Sequence, residues 1–106
     1  MKIYPITLES RHWAEDRRER ALCIKNIIGG IGKPLFQKQV NTGHPNGPEL
    51  HTITSNGIIV IHNAITGRLV TMLIARPKQL EKYGFTIPEY VLRKAKHNQK
   101  MGYNEL

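Results

Sequence analysis

Apolar positions along the chain alternate between two periods. The stretch "MKIYPIT" repeats every second residue, as a short strand does, and Pro5, which has no amide proton to give a neighbour, puts that strand at a sheet edge. Ser10 stands where a helix cap belongs. The charged run "SRHWAEDRRER" then leads into "ALCIKNII", whose Leu22, Cys23, Ile24, Ile27 and Ile28 recur at helical spacing until Gly29, Gly30 and Gly32 stop the helix. "PLFQKQV" returns to strand character, and "NTGHPNGPE" is a loop on its Gly, Pro and Asn content. "LHTITS", "IIVIHN" and "RLVTMLIAR" form a three-strand antiparallel meander, joined by Asn56-Gly57 and by "AITG", where Gly67 suits a left-handed position. "PKQLEKYG" is a helical turn or loop. Finally, Thr86, Pro88 and Glu89 form a capping-box arrangement ahead of a basic helix ending at Gly102.

These elements predict an α+β fold: N-terminal helices packed on a twisted antiparallel sheet of about four strands, with a basic C-terminal helix. The 106 residues make one domain with one core. If Asn56-Gly57 is a two-residue turn, Ser55 faces Ile58, Ile53 faces Val60 and His51 faces His62. Counting from "AITG" places His62 against Leu69 and Val60 against Thr71. One sheet face then carries His51, His62, Thr71, Ile53, Val60 and Leu73, and a slip of one residue exchanges the faces.

Composition narrows the class. Hydrophobic residues make up 40% and charged residues 23%, which argues against disorder. No apolar run approaches the ~20 residues that cross a bilayer, and the polar start lacks a signal peptide's apolar core, so a cytoplasmic protein without membrane contact is expected. Cys23, the only cysteine, sits within an apolar helix and reads as a buried packing thiol. The net charge is +8: residues 1–33 carry seven cations and four acids, 34–75 two and one, and 76–106 seven and three. A small domain basic at both ends implies a polyanionic partner, with nucleic acid first.

The candidate chemistry gathers on the N-terminal helix. His12, Asp16 and Arg20 follow at steps of four, with Arg17 on the neighbouring row and Arg18 turned away from Arg20. RNA strand cleavage needs a base for the ribose 2′-hydroxyl, cations for the charge gathering on phosphorus and an acid for the departing oxygen, with no metal. His12, Arg17, Arg20 and Thr71, with His51 on the face of Thr71, form the candidate catalytic set. Lys33, Lys38, Arg68, Arg76, Lys78, Arg93 and Lys94 are the cations expected to contact RNA. The five histidines lack metal-ligand spacing, so no metal or other cofactor is expected. "GGIGK" follows a helix and has Pro34 where a phosphate loop needs a hydroxyl. Seven aromatics scattered along the chain argue against a single-strand binder that works by stacking.

The helix opening "S-R-H", with an arginine eight residues after the histidine, and the sheet "NGIIVIHNAITGRLVTMLIA" resemble the barnase, EndoU, colicin and RelE superfamily of ribonuclease toxins. The small families around the BrnT toxin are the nearest likeness, and the resemblance covers residues 6–76. It implies a helix on a twisted antiparallel sheet and a metal-independent RNA-cleaving cleft, with His12 and Arg20 at the helix positions and Thr71 at the polar strand position. The chain departs from the pattern at Asp16, where the superfamily's helix often has arginine.

The first functional expectation is therefore a small metal-independent ribonuclease, a bacterial or phage-borne toxin with a cognate antitoxin or immunity protein as partner. Two alternatives use the same residues differently: a non-catalytic nucleic-acid-binding or phage accessory protein of the same fold, and a protein inhibitor module whose basic surface meets an acidic partner.

Overall fold

The computed structural model describes residues 15, 17–43, 45 and 47–106. The expected strand "MKIYPIT", Ser10, His12, Trp13 and Asp16 lie outside the described residues, as does His44. Helix α1 (Arg18–Leu22) continues as a π-helical segment, Cys23–Ile28. Strands β1 (Pro34–Val40), β2 (Glu49–Thr54), β3 (Ile58–Asn63) and β4 (Leu69–Ile74) follow. Helix α2 (Pro77–Glu81), helix α3 (Glu89–Lys100) and a final 3₁₀ turn, Tyr103–Glu105, complete the chain. The sheet is antiparallel in the order β1-β2-β3-β4, the expected α+β arrangement. Among the described residues no helix is long and apolar enough to cross a membrane.

Both sheet faces are covered. On one, Ile58, Val60, Leu69, Met72 and Ile74 pack against Cys23 and Ile24. On the other, Ile53, Ile59 and Ile61 pack with Ala75, Leu80, Ile87, Val91 and Ala95 beneath α2 and α3. This explains why "IIVIHN" reads as an unbroken apolar run: a strand buried on both sides has no solvent face to mark by alternation.

The meander forms as expected, with a different register. Thr54 and Ile58 bracket a three-residue loop in which the Gly57 N–H donates to the Thr54 carbonyl at 3.0 Å and Gly57 takes φ 77°. A three-residue loop ending in a left-handed glycine shifts the pairing by one residue relative to a two-residue turn. Ile53 therefore faces Ile59, His51 faces Ile61 and Leu50 faces His62. His62 does face Leu69, but the β3–β4 pairing shifts between Ile61 and His62, so Thr71 faces Ile61 rather than Val60. His51 and Thr71 share one face, and His62 and Val60 lie on the other.

Two helix expectations also change. The π-winding of Cys23–Ile28 breaks the 3.6-residue period. Cys23 and Ile24 are buried while Leu22 and Ile27 are exposed, Ile27 at 61%. Gly29, at φ 90°, ends the segment as expected. The capping box at Thr86 and Glu89 does not form, because Pro88 is extended at ψ 142° and α3 starts only after it.

The glycine-rich "GGIGK" is a brace for the β2–β3 turn. The Asn56 side-chain amide donates to the Gly30 carbonyl at 2.9 Å and the Asn56 N–H to Ile31 at 3.2 Å. Lys33 N–H donates to Ser55 Oγ at 2.7 Å, and Thr54 Oγ1 donates to the Ile31 carbonyl. The turn is thereby held at a fixed place beside α3.

Candidate nucleic-acid interface

Three polar centres hold the candidate residues, and they differ in how many donors the protein's own bonds occupy. The first surrounds Arg20. Its Nε donates to the main-chain oxygen of Leu106 at 2.9 Å, and its Nη1 to the Met72 carbonyl at 3.1 Å and Thr71 Oγ1 at 3.4 Å. Arg20 and Thr71, both in the candidate catalytic set, are in contact, with the guanidinium aimed largely at main-chain oxygens of β4 and the C-terminal turn. Burial, with Arg17 adding repulsion, lowers the Arg20 pKa from its ordinary value. Arg17 and Arg18 are exposed and line one pocket together with Arg20, so Arg18 is not set apart from Arg20 as the helical wheel implies. Arg20→Ala should lower stability by about 1–3 kcal/mol, because two carbonyls lose a charged donor. Thermal melts measure this, and an unshifted melting temperature would show that Arg20 is not a structural clamp.

The second centre lies on the α2 side of the sheet. His51 Nε2 donates to Glu49 Oε1 at 2.9 Å, and Nδ1 is hydrogen-bonded to the Tyr83 hydroxyl at 2.6 Å. Lys38, paired with His51 across the strands, donates to the Tyr83 carbonyl at 3.3 Å. Burial and the nearby Glu49 carboxylate raise the Tyr83 pKa, keeping the phenol neutral. Both ring nitrogens of His51 are engaged. It is 12% exposed, so a substrate proton would have to replace Tyr83 or Glu49 at one ring nitrogen.

Burial likewise pushes the Cys23 thiol up, as expected of a packing thiol. Cys23 and Tyr83 both hold their protons more tightly in the folded chain. Their contribution to stability is full below their unfolded values, about 8.5 and 10, and is lost as pH rises through the folded ones. Urea midpoints should therefore fall above about pH 8.5, and midpoints that stay level to pH 11 would contradict these environments.

The third centre is a cavity of about 440 Å³ where α3 meets the β2–β3 turn. Tyr90, Arg93, Lys94 and His97 reach it from α3 at steps of three and four, one helix face. Asn56 and Ile28 close it from the turn and the π-helical segment. Lys94 Nζ donates to Asn56 Oδ1 at 2.7 Å, which leaves two of its three N–H groups for another acceptor. Among the described residues the side chains of Tyr90, Arg93 and His97 have no hydrogen-bonding or ionic partner. Asn98, 5% exposed, also lines the cavity; its amide nitrogen makes only a long 3.5 Å bond to the Asn56 carbonyl.

The seven expected RNA-contacting cations do not form one surface. Arg93 and Lys94 share the cavity, and the Lys33 backbone is bonded to the same turn. Arg68 lies beyond Asn63 at the opposite end of β3, Lys38 is beside Tyr83, and Lys78 is exposed on α2. Arg76 is drawn to the C-terminal turn, where the Asn104 side-chain oxygen accepts from its Nε at 2.7 Å and Nη2 at 3.1 Å. Among the described residues no group of histidine, cysteine and acidic side chains is arranged to hold a metal ion.

Sequence reasoning named Arg93 and Lys94 and missed Tyr90 and His97, although the i, i+3, i+4, i+7 pattern of "YVLRKAKH" carries all four. Asn56 and Ile28 come from distant segments and leave no such signal. No protein-family model, curated protein or solved structure matches the chain.

Proposed function

We propose that this protein binds RNA, docking the strand along the α3 face that opens on the β2–β3 turn. The reading rests on one observation: among the described residues Arg93, His97 and most of Lys94 are uncommitted, whereas Arg20 and His51 are engaged by neighbours. A ligand gains from donors it does not have to take from the fold. Arg93 offers a planar fork of donors suited to phosphate, and Lys94 is already aimed by Asn56. The net charge of +8 supplies long-range attraction for any strand that approaches. Titration of an unstructured RNA over a range of salt concentrations tests the reading. Binding that weakens steeply with salt is expected, and no binding at low salt would end it.

Metal-independent RNA cleavage is the second reading, favoured by the Glu49–His51–Tyr83 chain, with Lys38 beside it, and by the contact of Arg20 with Thr71. The superfamily resemblance points the same way. In that case RNA incubated with the protein in excess EDTA yields cyclic phosphate ends, and His51→Ala lowers turnover by about 10²–10⁴-fold. RNA that stays intact while still bound leaves the binding protein.

A further inference from the structure

We infer that the α3 cavity is a site for a single unpaired nucleotide, its base lying on Tyr90 and its phosphate held by Arg93 and Lys94. This rests on the RNA-binding reading and adds what the site recognises. Tyr90 is 44% exposed, and among the described residues its side chain has no hydrogen-bonding partner, so its ring is open to a ligand. One turn further along the helix, some 5–6 Å between Cβ atoms, come the two cations, so a ring and its own phosphate span the two levels. A cavity of about 440 Å³ lies within the usual range of small-ligand sites, roughly 300–1,000 Å³.

The remaining lining suits a base. Ile28 adds an apolar wall. Among the described residues the oxygen of the Asn98 amide has no partner and can accept from a base amino group, while His97 also lines the cavity. Asn56, in contrast, is held at both ends of its amide: its oxygen accepts from Lys94 and its nitrogen donates to Gly30, so its part is to aim the lysine. A base on Tyr90 departs from the expectation that seven scattered aromatics argue against a single-strand binder that works by stacking. A site for one base needs one ring.

A base can reach Tyr90 only when unpaired, which makes the site selective for single strands over blunt duplexes. The test measures binding of an unstructured RNA of about 12 nucleotides and of a duplex of the same length, for the parent, Tyr90→Leu, Tyr90→Phe and Arg93→Gln. The parent should bind the single strand more tightly. Tyr90→Leu should lose about 5- to 100-fold on the single strand and nothing on the duplex, while Tyr90→Phe, which keeps the ring, stays within about twofold of the parent. If Tyr90→Leu matches the parent on the single strand while Arg93→Gln weakens both RNAs, the surface reads phosphate alone: the nucleotide site falls and RNA binding stands. If the parent binds neither RNA, both fall together.

Discussion

Replacing Arg93 and Lys94 together by glutamine should weaken single-stranded RNA binding about 10- to 100-fold at low salt, the scale of two solvent-exposed contacts at about 0.7–1.4 kcal/mol each. It should also flatten the log-log salt dependence by about 1.4 units, since each phosphate contact on a single strand contributes roughly 0.7. Glutamine is the informative replacement because at position 94 its amide can still donate to Asn56 Oδ1, so the turn keeps its partner. Both side chains are exposed, and the melting temperature should stay near that of the parent. Unchanged salt dependence would place the RNA on another surface, with Arg68 and Lys78 as the next cations to neutralise.

The second large effect concerns the fold that presents this surface. Ile59 is 1% exposed, faces Ile53 and Leu73 across the strands and belongs to the cluster that seats Val91 and Ala95 of α3. Ile59→Ala should cost about 2–5 kcal/mol, because close-packed neighbours only partly refill the space left. That is a large share of the ~5–15 kcal/mol typical of a small domain. The urea midpoint should fall with little change in slope. Ile27→Ala is the contrast, since its exposed side chain should leave the midpoint within about 0.5 kcal/mol of the parent. A similar loss at both positions would mean that Ile27 is buried in solution.

That contrast marks where the sequence could and could not be read. The apolar string "ALCIKNII" announces a helix that stops at glycine, but periodicity assumes 3.6 residues per turn and has no means of signalling a π-helical segment. Asn56-Gly57 announces a turn, and the same dipeptide serves both a two-residue loop and a three-residue loop with glycine last. The difference of one residue sends His62 to one face and leaves His51 and Thr71 on the other. Strand identities survive such a slip, and face assignments do not. Helix spacing made Arg20 a catalytic candidate, and charge made Arg93 an RNA contact. What separates them is whether the fold engages the guanidinium: Arg20 reaches across to Met72 and Leu106, and among the described residues Arg93 meets nothing. Long-range contacts of this kind depend on which distant segments the topology brings together, as it does with Gly30, Asn56 and Lys94.

The central claim is a location, and backbone amide shifts in the presence of RNA report location directly. Adding an unstructured single-stranded RNA to isotope-labelled protein should move the signals of Ile28 to Lys33, Asn56 and Tyr90 to Asn98, and leave those of Lys38, Glu49, His51 and Tyr83 in place. Perturbations centred on His51 and Tyr83, or on Arg20 and Thr71, with α3 unmoved, would contradict the account.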